Sequence, residues 1–242
     1  MKKGFTLAEV LITLGIIGVV AALAAPALNN SAQKAKVGPA LSKFISTLEN
    51  AHQHITADNE ADSLTAVTNG DVDTYLTELS KYVKGVKDTK KIDSFTPKPS
   101  NYEGLSNADG SLLNGDMDST SKIYKFADGS AMVLKHYNRD SSHSAGSYLG
   151  NVASLWFDIN GFENKPNRTG KDEFRFYIDD SGAVYPDGGY IKKNIYDQAG
   201  INLMGNLWNG ENGTCDETAV KRGGVYCGAS VVDNGFKVIY KY

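Results

Sequence analysis

Residues 5–28 read FTLAEVLITLGIIGVVAALAAPAL, a run of about 24 mostly apolar residues near the start of the chain. About 20 apolar residues suffice for a helix to cross the hydrocarbon core of a bilayer. Lys2 and Lys3 precede the run, and after Glu9 no charged residue occurs before Lys34. The run predicts one membrane-spanning helix whose amino terminus stays in the cytoplasm, because positively charged flanks are retained on that side.

The rest of the sequence has the composition of a folded polar domain. The 242 residues include 25 Lys and Arg and 28 Asp and Glu, with a net charge of −3, and 41% are hydrophobic. This length fits one ordinary domain with an appendage. The near-balanced charge argues against a nucleic-acid partner, and the apolar content argues against extensive disorder.

Two interpretations of the apolar run are open. A basic start, an apolar stretch and the small residues Ala22 and Ala24 are also typical of a secretory signal that is cleaved off. Glu9 favours a retained helix instead, since a carboxylate inside a membrane span costs about 2.5–3.5 kcal/mol and usually serves a functional partner.

The residues around this acid, Lys3-Gly4-Phe5-Thr6-Leu7-Ala8-Glu9-Val10, resemble the processing site of type IV pilins and type II secretion pseudopilins. The resemblance implies that a prepilin peptidase cleaves after Gly4 and methylates the new amino-terminal Phe5. It implies assembly through the N-terminal helix, with Glu9 pairing with a neighbouring subunit's amine and Pro26 at the place of a helix-kinking proline. Other pilin or pseudopilin subunits, an inner-membrane assembly platform and membrane lipid are then the expected partners.

A second helical segment follows the membrane span. Apolar residues recur at alternating steps of four and three, which predicts an amphipathic helix. They are Val37, Leu41, Phe44, Leu48, Ala51 and Ile55. Gly38-Pro39 predicts a kink or short break in this helix. His52 and His54, two residues apart, would lie on different faces and are expected to be solvated or interfacial rather than metal ligands.

The remaining chain predicts one further helix and a series of strands joined by turns. Asp128-Gly129 is a strong hairpin signal. The helix is predicted over 71–86, and the strands over 122–127, 130–137, 152–159, 173–178 and 183–185, with a final hairpin of 225–232 and 236–240. A long helix followed by an antiparallel sheet gives an α+β fold. The resemblance to pilins implies the same fold, in which the long helix packs on the sheet of the head.

The predicted organisation is a leader at 1–4, a transmembrane and assembly helix at 5–28, an amphipathic stem helix at 29–57 and a globular head at 58–242. The head is expected to be periplasmic or extracellular, anchored by a single span in the bacterial cytoplasmic membrane.

Four oxygen-bearing side chains occur in or beside a predicted loop of the head. They are Asp158, Asn160, Asn167 and Asp172. Converging oxygens of this kind could hold a calcium ion, which takes 6–8 oxygen ligands. The spacing is not that of an EF-hand, and Asp and Asn are also common turn residues, so an ordinary turn is the alternative. No other cofactor is expected.

Cys215 and Cys227 are the two cysteines of the chain. A disulfide is expected between them, because they lie in the part of the chain argued to be outside the cytoplasm, where such bonds persist. Pilin-like proteins often close a C-terminal loop in this way. Free thiols or a redox pair are the alternatives, although the spacing is not that of a C-x-x-C motif.

The sequence contains no evident nucleophile–base set and no phosphate-binding glycine motif, so an enzyme is not expected. The expected function is a structural subunit of a type II secretion pseudopilus or a type IV pilus. The length of the chain favours a minor or specialised subunit. The alternative is a secreted or membrane-tethered binding domain with an ordinary signal or anchor.

Overall fold

The structure, a computed structural model, describes residues 6–88, 121–137, 152–164, 169–186, 215 and 227–240. Within these residues a long helix precedes an antiparallel sheet, which confirms the predicted α+β fold. The helices are α1 (Leu7–Asp58), α2 (Leu64–Thr68), α3 (Val72–Tyr82) and α4 (Cys227–Asp233). The strands are β1 (Gly85–Asp88), β2 (Lys122–Phe126), β3 (Ala131–Tyr137), β4 (Val152–Asp158), β5 (Glu173–Ile178) and β6 (Val184–Pro186).

Helix α1 contains both predicted helical segments in one element of 52 residues, about 78 Å long at 1.5 Å per residue. Its start is fixed by a capping box, in which Thr6 and Glu9 satisfy each other's backbone N–H groups. The predicted break at Gly38-Pro39 does not occur, since the helix continues through both residues. Burial of Val37 and Leu41 on either side holds this part of the helix in place.

The stem half of α1 packs on one face of the sheet, as the amphipathic pattern predicts. All six residues of the predicted stripe are buried, none more than 4% exposed. The ring of Phe44 stacks on that of Phe157 in β4, with 3.9 Å between centroids. Burying each large apolar side chain contributes about 1.5–3 kcal/mol, so this contact fixes the helix on the sheet.

In the described residues the sheet has six strands in the order of the sequence, each antiparallel to the next. The predicted hairpin at Asp128-Gly129 joins β2 to β3. Its Asp128 carboxylate accepts a bond from the Ser130 N–H at 3.0 Å, and Gly129 adopts φ +92°. A connection this short makes the antiparallel pairing of β2 with β3 the natural topology. Strand β5 has the predicted bounds.

The helix predicted over 71–86 is too long. Helix α3 ends at Tyr82, and Val86 lies in β1 opposite Lys125 of β2. Gly85 explains the change of structure, since a Cβ there would stand 2.2 Å from a ring atom of Tyr124. Only glycine lets β1 approach β2 so closely, and glycine is also a poor helix former.

The final hairpin predicted over 225–240 is wrong. Residues 227–233 form α4, and residues 237–240 form no strand. Gly235 and Phe236 have φ values of +65° and +61°, and the Phe236 N–H bonds the Val231 carbonyl oxygen at 2.8 Å. Positive φ values occur at a helix C-terminus as well as in a hairpin turn. The dipeptide Asn234-Gly235 is therefore compatible with both structures.

Candidate functional site

The N-terminal segment contains the predicted processing and assembly residues. Gly4 and Phe5 lie outside the described residues. Glu9 is exposed in the first turn of α1, where its carboxylate accepts bonds from the Thr6 N–H and hydroxyl, each at 2.8 Å. A negative charge at this end of a helix is favourable, because the unpaired N–H groups give it a partial positive charge. Pro26 lies within α1.

The apolar half of α1 projects from the head. Among the described residues this is the one helix long and apolar enough to cross a membrane, and its apolar part is not buried against the head. Leu11 and Ile17, for example, are 61% and 63% exposed. An exposed apolar surface of this size needs a bilayer or other subunits to cover it. The segment therefore anchors the chain in a membrane.

The C-terminal segment, residues 234–240, crosses α1 where the projecting half meets the head. The Lys34 ammonium donates to the Tyr240 carbonyl oxygen at 2.5 Å, and the Tyr240 hydroxyl donates to the carbonyl of Gly170 at 2.6 Å. At Gly38 of α1, a Cβ would fall 1.8 Å from the Phe236 carbonyl oxygen. The contacts at the junction of arm and head therefore depend on this glycine.

The predicted disulfide between Cys215 and Cys227 is present, with 5.0 Å between the two Cα atoms. Cys227 is fully buried and begins α4, which packs beside β5 and β6. The disulfide therefore fixes Cys215, twelve positions before Cys227 in the sequence, at the edge of the core.

His52, which is expected to be solvated or interfacial, is not solvated. His52 is 1% exposed, with Nδ1 2.6 Å from the Gly182 carbonyl oxygen and Nε2 2.8 Å from the Tyr75 hydroxyl. Because a carbonyl can only accept, Nδ1 carries the proton and Nε2 accepts from Tyr75. Burial lowers the pKa of His52 to about 4, so the ring is neutral near pH 7. His54, two residues on, stacks on the ring of Tyr82.

Two acidic residues face each other where β4 ends and β5 begins. Asp158 and Glu173 are direct cross-strand partners, and both are fully buried. Asp158 Oδ1 accepts from the Asn160 N–H at 2.9 Å. In contrast, no hydrogen-bond partner of Asp158 Oδ2 or of either carboxylate oxygen of Glu173 is found among the described residues. Asp172, also buried, adds a third acid at the same end.

The surroundings make ionisation of both facing acids costly. Burial raises the pKa of Asp158 to about 7. Burial, together with the charges of Asp158 and Asp172, raises the pKa of Glu173 well above its usual range. Unpaired buried carboxylates are rare for this reason, since the charged form loses its hydration without gaining a partner.

The four residues predicted for calcium have different places in this structure. Asp158 and Asp172 flank the two ends of the β4–β5 connection, which are joined by a bond from the Ile159 N–H to the Asp172 carbonyl oxygen at 2.9 Å. Asn160 bonds with Asn164 in a turn, as the alternative interpretation predicts. Asn167 lies outside the described residues.

Within the described ranges, no group of three or more His, Cys, Asp and Glu side chains is arranged to hold a metal ion. Glu173 was missed by sequence reasoning, because it was interpreted only as the first residue of a strand. The adjacent acids Asp172-Glu173, at the start of the strand predicted to follow Asp158, were the available signal.

In a comparison with protein families, residues 1–25 match the model of the prokaryotic N-terminal methylation motif. The matched segment includes Gly4, Phe5 and Glu9, and ends next to Pro26. Comparison with curated proteins and with solved structures gives no significant match. The motif implies processing by a prepilin peptidase and assembly with other pilin subunits. At residues 1–25 the chain therefore carries the prepilin motif of type IV pilins and pseudopilins.

Proposed function

We propose that this protein is a structural subunit of a bacterial type II secretion pseudopilus or type IV pilus, cleaved after Gly4 and assembled through α1. One observation carries the proposal. A prepilin motif opens an unburied apolar helix, and that same helix continues without a break into the buried stem of a folded head. A filament subunit needs this connection, because the head must be carried by the element that polymerises.

In this proposal, Glu9 sets the axial position of each subunit's helix relative to its neighbours. Cleavage creates an ammonium group on Phe5, four residues from the Glu9 carboxylate and close to the apolar environment. A carboxylate in that environment requires a cationic partner, and a neighbouring subunit's amino terminus provides one. Among the described residues of the chain, the Glu9 carboxylate accepts hydrogen bonds from Thr6. Pairing between chains would fix the axial position of helices that otherwise slide freely in lipid.

Two glycines of the apolar half support close packing between such helices. A Cβ added to Gly15 or Gly18 would meet no atom within 4 Å, so no intrachain contact requires these glycines. In lipid, small residues let neighbouring helix backbones approach one another. Gly15 and Gly18 are therefore proposed to lie at contacts between subunits.

The proposed orientation places the amino terminus in the cytoplasm and the head in the periplasm or outside the cell. Lys2 and Lys3 support the cytoplasmic amino terminus. The Cys215–Cys227 disulfide supports an oxidising location for the head. The cytoplasmic-membrane assembly platform and membrane lipid are then proposed partners. Nucleic acid is not a proposed partner, because the chain has a net charge of −3.

The size of the head supports a minor or specialised subunit rather than the repeating one. We propose a structural role and no catalytic activity, because the sequence has no evident nucleophile–base set. The chain is instead the substrate of the peptidase that processes it.

Mass spectrometry of the mature amino terminus in the native bacterium tests the proposal. We expect a chain that begins with N-methylated Phe5. An intact Met1, or a chain that begins at Ala25 or Pro26, would contradict the proposal and support a tethered or secreted binding domain.

A further inference from the structure

We propose that a basic collar where the arm meets the head binds the anionic headgroups of the bilayer that the arm crosses. The arm is the apolar part of α1, residues 7–28. The collar consists of Lys34 and Lys36 of α1 and Lys237 of the C-terminal segment, with Ile239 exposed two positions after Lys237. The proposal rests on the membrane anchor of the proposed function, but not on filament assembly.

The first step concerns depth in the membrane. The arm is about 33 Å long at 1.5 Å per residue, which matches the hydrocarbon core of about 30 Å. Lys34 and Lys36 follow Leu28 by six and eight residues, so their backbones lie about 9 and 12 Å beyond the arm. The headgroup layer is about 5–7 Å thick on each side, and helical side chains slant towards the helix N-terminus. Because a lysine stem extends towards the membrane interface, either ammonium group reaches the headgroups.

The second step concerns the C-terminal segment, residues 234–240. Its Phe236 carbonyl oxygen lies against Gly38, whereas its Tyr240 carbonyl oxygen accepts from the Lys34 ammonium at 2.5 Å. The segment therefore runs along α1 towards the arm, and its last described residues lie at the level of the headgroups. There Lys237 is exposed, and Ile239 is 60% exposed.

The third step concerns charge. Between Glu9 and Glu49 the charged residues of the sequence are all basic: Lys34, Lys36 and Lys43. Lys36 and Lys237 are exposed, and neither has an ion pair or hydrogen bond among the described residues. Anionic headgroups carry the complementary charge, and polybasic segments next to a membrane are attracted to them.

The fourth step concerns the placement of these charges around the arm. Residues two apart on a helix differ by about 200°, so Lys36 lies on the opposite side of α1 from Lys34. The C-terminal segment lies on the Lys34 side. Headgroups therefore meet a lysine on each side of the arm, and interfacial lysines are among the anchors that set the tilt of a membrane helix. Docking of the collar would limit the tilt of each subunit in the membrane before it assembles.

The test uses the full-length chain with Ile239→Trp, reconstituted in phosphatidylcholine vesicles with or without phosphatidylglycerol. The acyl chains carry bromine close to the headgroup, and bromine quenches the fluorescence of a tryptophan that enters this layer. The chain without the substitution supplies the background from Trp156 and Trp208. We expect quenching at position 239 with phosphatidylglycerol, and its loss without that lipid or at high salt, because salt screens exposed charges.

Removal of the collar lysines sharpens the test. In the Ile239→Trp chain, Lys36→Gln and Lys237→Gln should each lower the ratio of docked to undocked chains about fivefold, the equivalent of about 1 kcal/mol per lysine. Both lysines are exposed, so neither change should alter the urea midpoint of the head.

Lys81→Gln combined with Lys87→Gln is the matched control for the double collar variant, because it removes the same charge from another part of the head. Both lysines pair with acids of α3, which contacts the far end of α1 through Tyr82 and Asp58. Quenching in the control should equal that of the chain with all its lysines.

The proposal is overturned if quenching at position 239 is absent from both kinds of vesicle or is the same in both. It is also overturned if the control loses as much quenching as the double collar variant, since net charge and not the collar would then be responsible. Quenching that depends on the number of chains per vesicle, but not on phosphatidylglycerol, would overturn it in favour of a neighbouring subunit at this surface. The proposed function is tested separately by the mature amino terminus, so the two failures are distinguishable.

Discussion

The Nδ1 atom of His52 lies 2.6 Å from the carbonyl oxygen of Gly182, a contact that joins the C-terminal end of the long helix to the turn between β5 and β6. The approach leaves no room for a side chain at Gly182, since a Cβ there would stand 2.7 Å from the Cβ of His52. Through Nε2 the same ring reaches Tyr75 of α3. One imidazole therefore connects three elements that are distant in sequence.

The buried histidine predicts that acid destabilises the head. The pKa of His52 is about 4 in the folded protein and about 6.5 in an unfolded chain, so the unfolded state binds the proton more readily. This contribution to stability is complete above pH 6.5 and is lost as the pH falls towards 4. The loss amounts to about 3 kcal/mol.

Urea unfolding of the full-length chain in detergent, between pH 7.5 and 4, measures this effect. The comparison is with His52→Gln, which cannot acquire the charge, and with His54→Gln as the matched control. His54→Gln should keep the slope of the unaltered protein. If His52→Gln keeps that slope as well, another group is responsible for the pH dependence.

Substitution of Gly38 by alanine should loosen the head from the arm. The added Cβ would meet the Phe236 carbonyl oxygen, and a clash with backbone must be relieved by a shift of the C-terminal segment. We expect a loss of about 1–3 kcal/mol, typical of overpacking, despite the better helix propensity of alanine. Tryptophan fluorescence during urea unfolding measures the change.

Gly18→Ala is the control for this variant, because a Cβ at Gly18 meets nothing within 4 Å. Its head should unfold at the same urea concentration as the unaltered protein. Equal stability of the two variants would show that the approach of Phe236 to α1 does not depend on Gly38.

Loss of the disulfide should lower the stability of the head. The bond between Cys215 and Cys227 restricts the unfolded chain, and a loop of this size contributes about 3 kcal/mol in the chain-entropy account. Replacing both cysteines with serine should therefore lower the urea midpoint. Reductant should lower the midpoint of the unaltered protein similarly but leave the double variant unchanged. A midpoint that is insensitive to both changes would show that the bond contributes nothing.

Removal of the Glu9 carboxylate should separate membrane insertion from assembly. Glu9→Ala leaves the apolar helix intact, so the protein should still fractionate with membranes. It should fail to enter filaments sheared from cells, because no carboxylate is left to pair with a neighbouring amine. Thr13→Ala, one turn further along the same helix, is the control, since the Thr13 hydroxyl donates to the backbone carbonyl oxygens of Glu9 and Val10 in that helix. Normal filament entry by Glu9→Ala would refute charge pairing.

Sequence alone determined the features that repeat within a few residues or depend on one short motif. The processing motif around Gly4 and Glu9 needs no folded structure to be recognised, because the peptidase reads it as sequence. The stripe from Val37 to Ile55 follows from the period of the helix, and the hairpin at Asp128-Gly129 follows from the turn preference of that dipeptide. Both are local properties of the chain.

The tertiary structure decided whatever depends on neighbours distant in sequence. His52 has no local signal of burial, and it is buried because Gly182 and Tyr75 close over it. Residues 227–233 form a helix although their pattern fits a strand, since Gly235 can end either element. Asp158 and Glu173 become a facing pair only through the register of β4 and β5. Burial and pairing are properties of the folded chain, whereas periodicity belongs to the sequence itself.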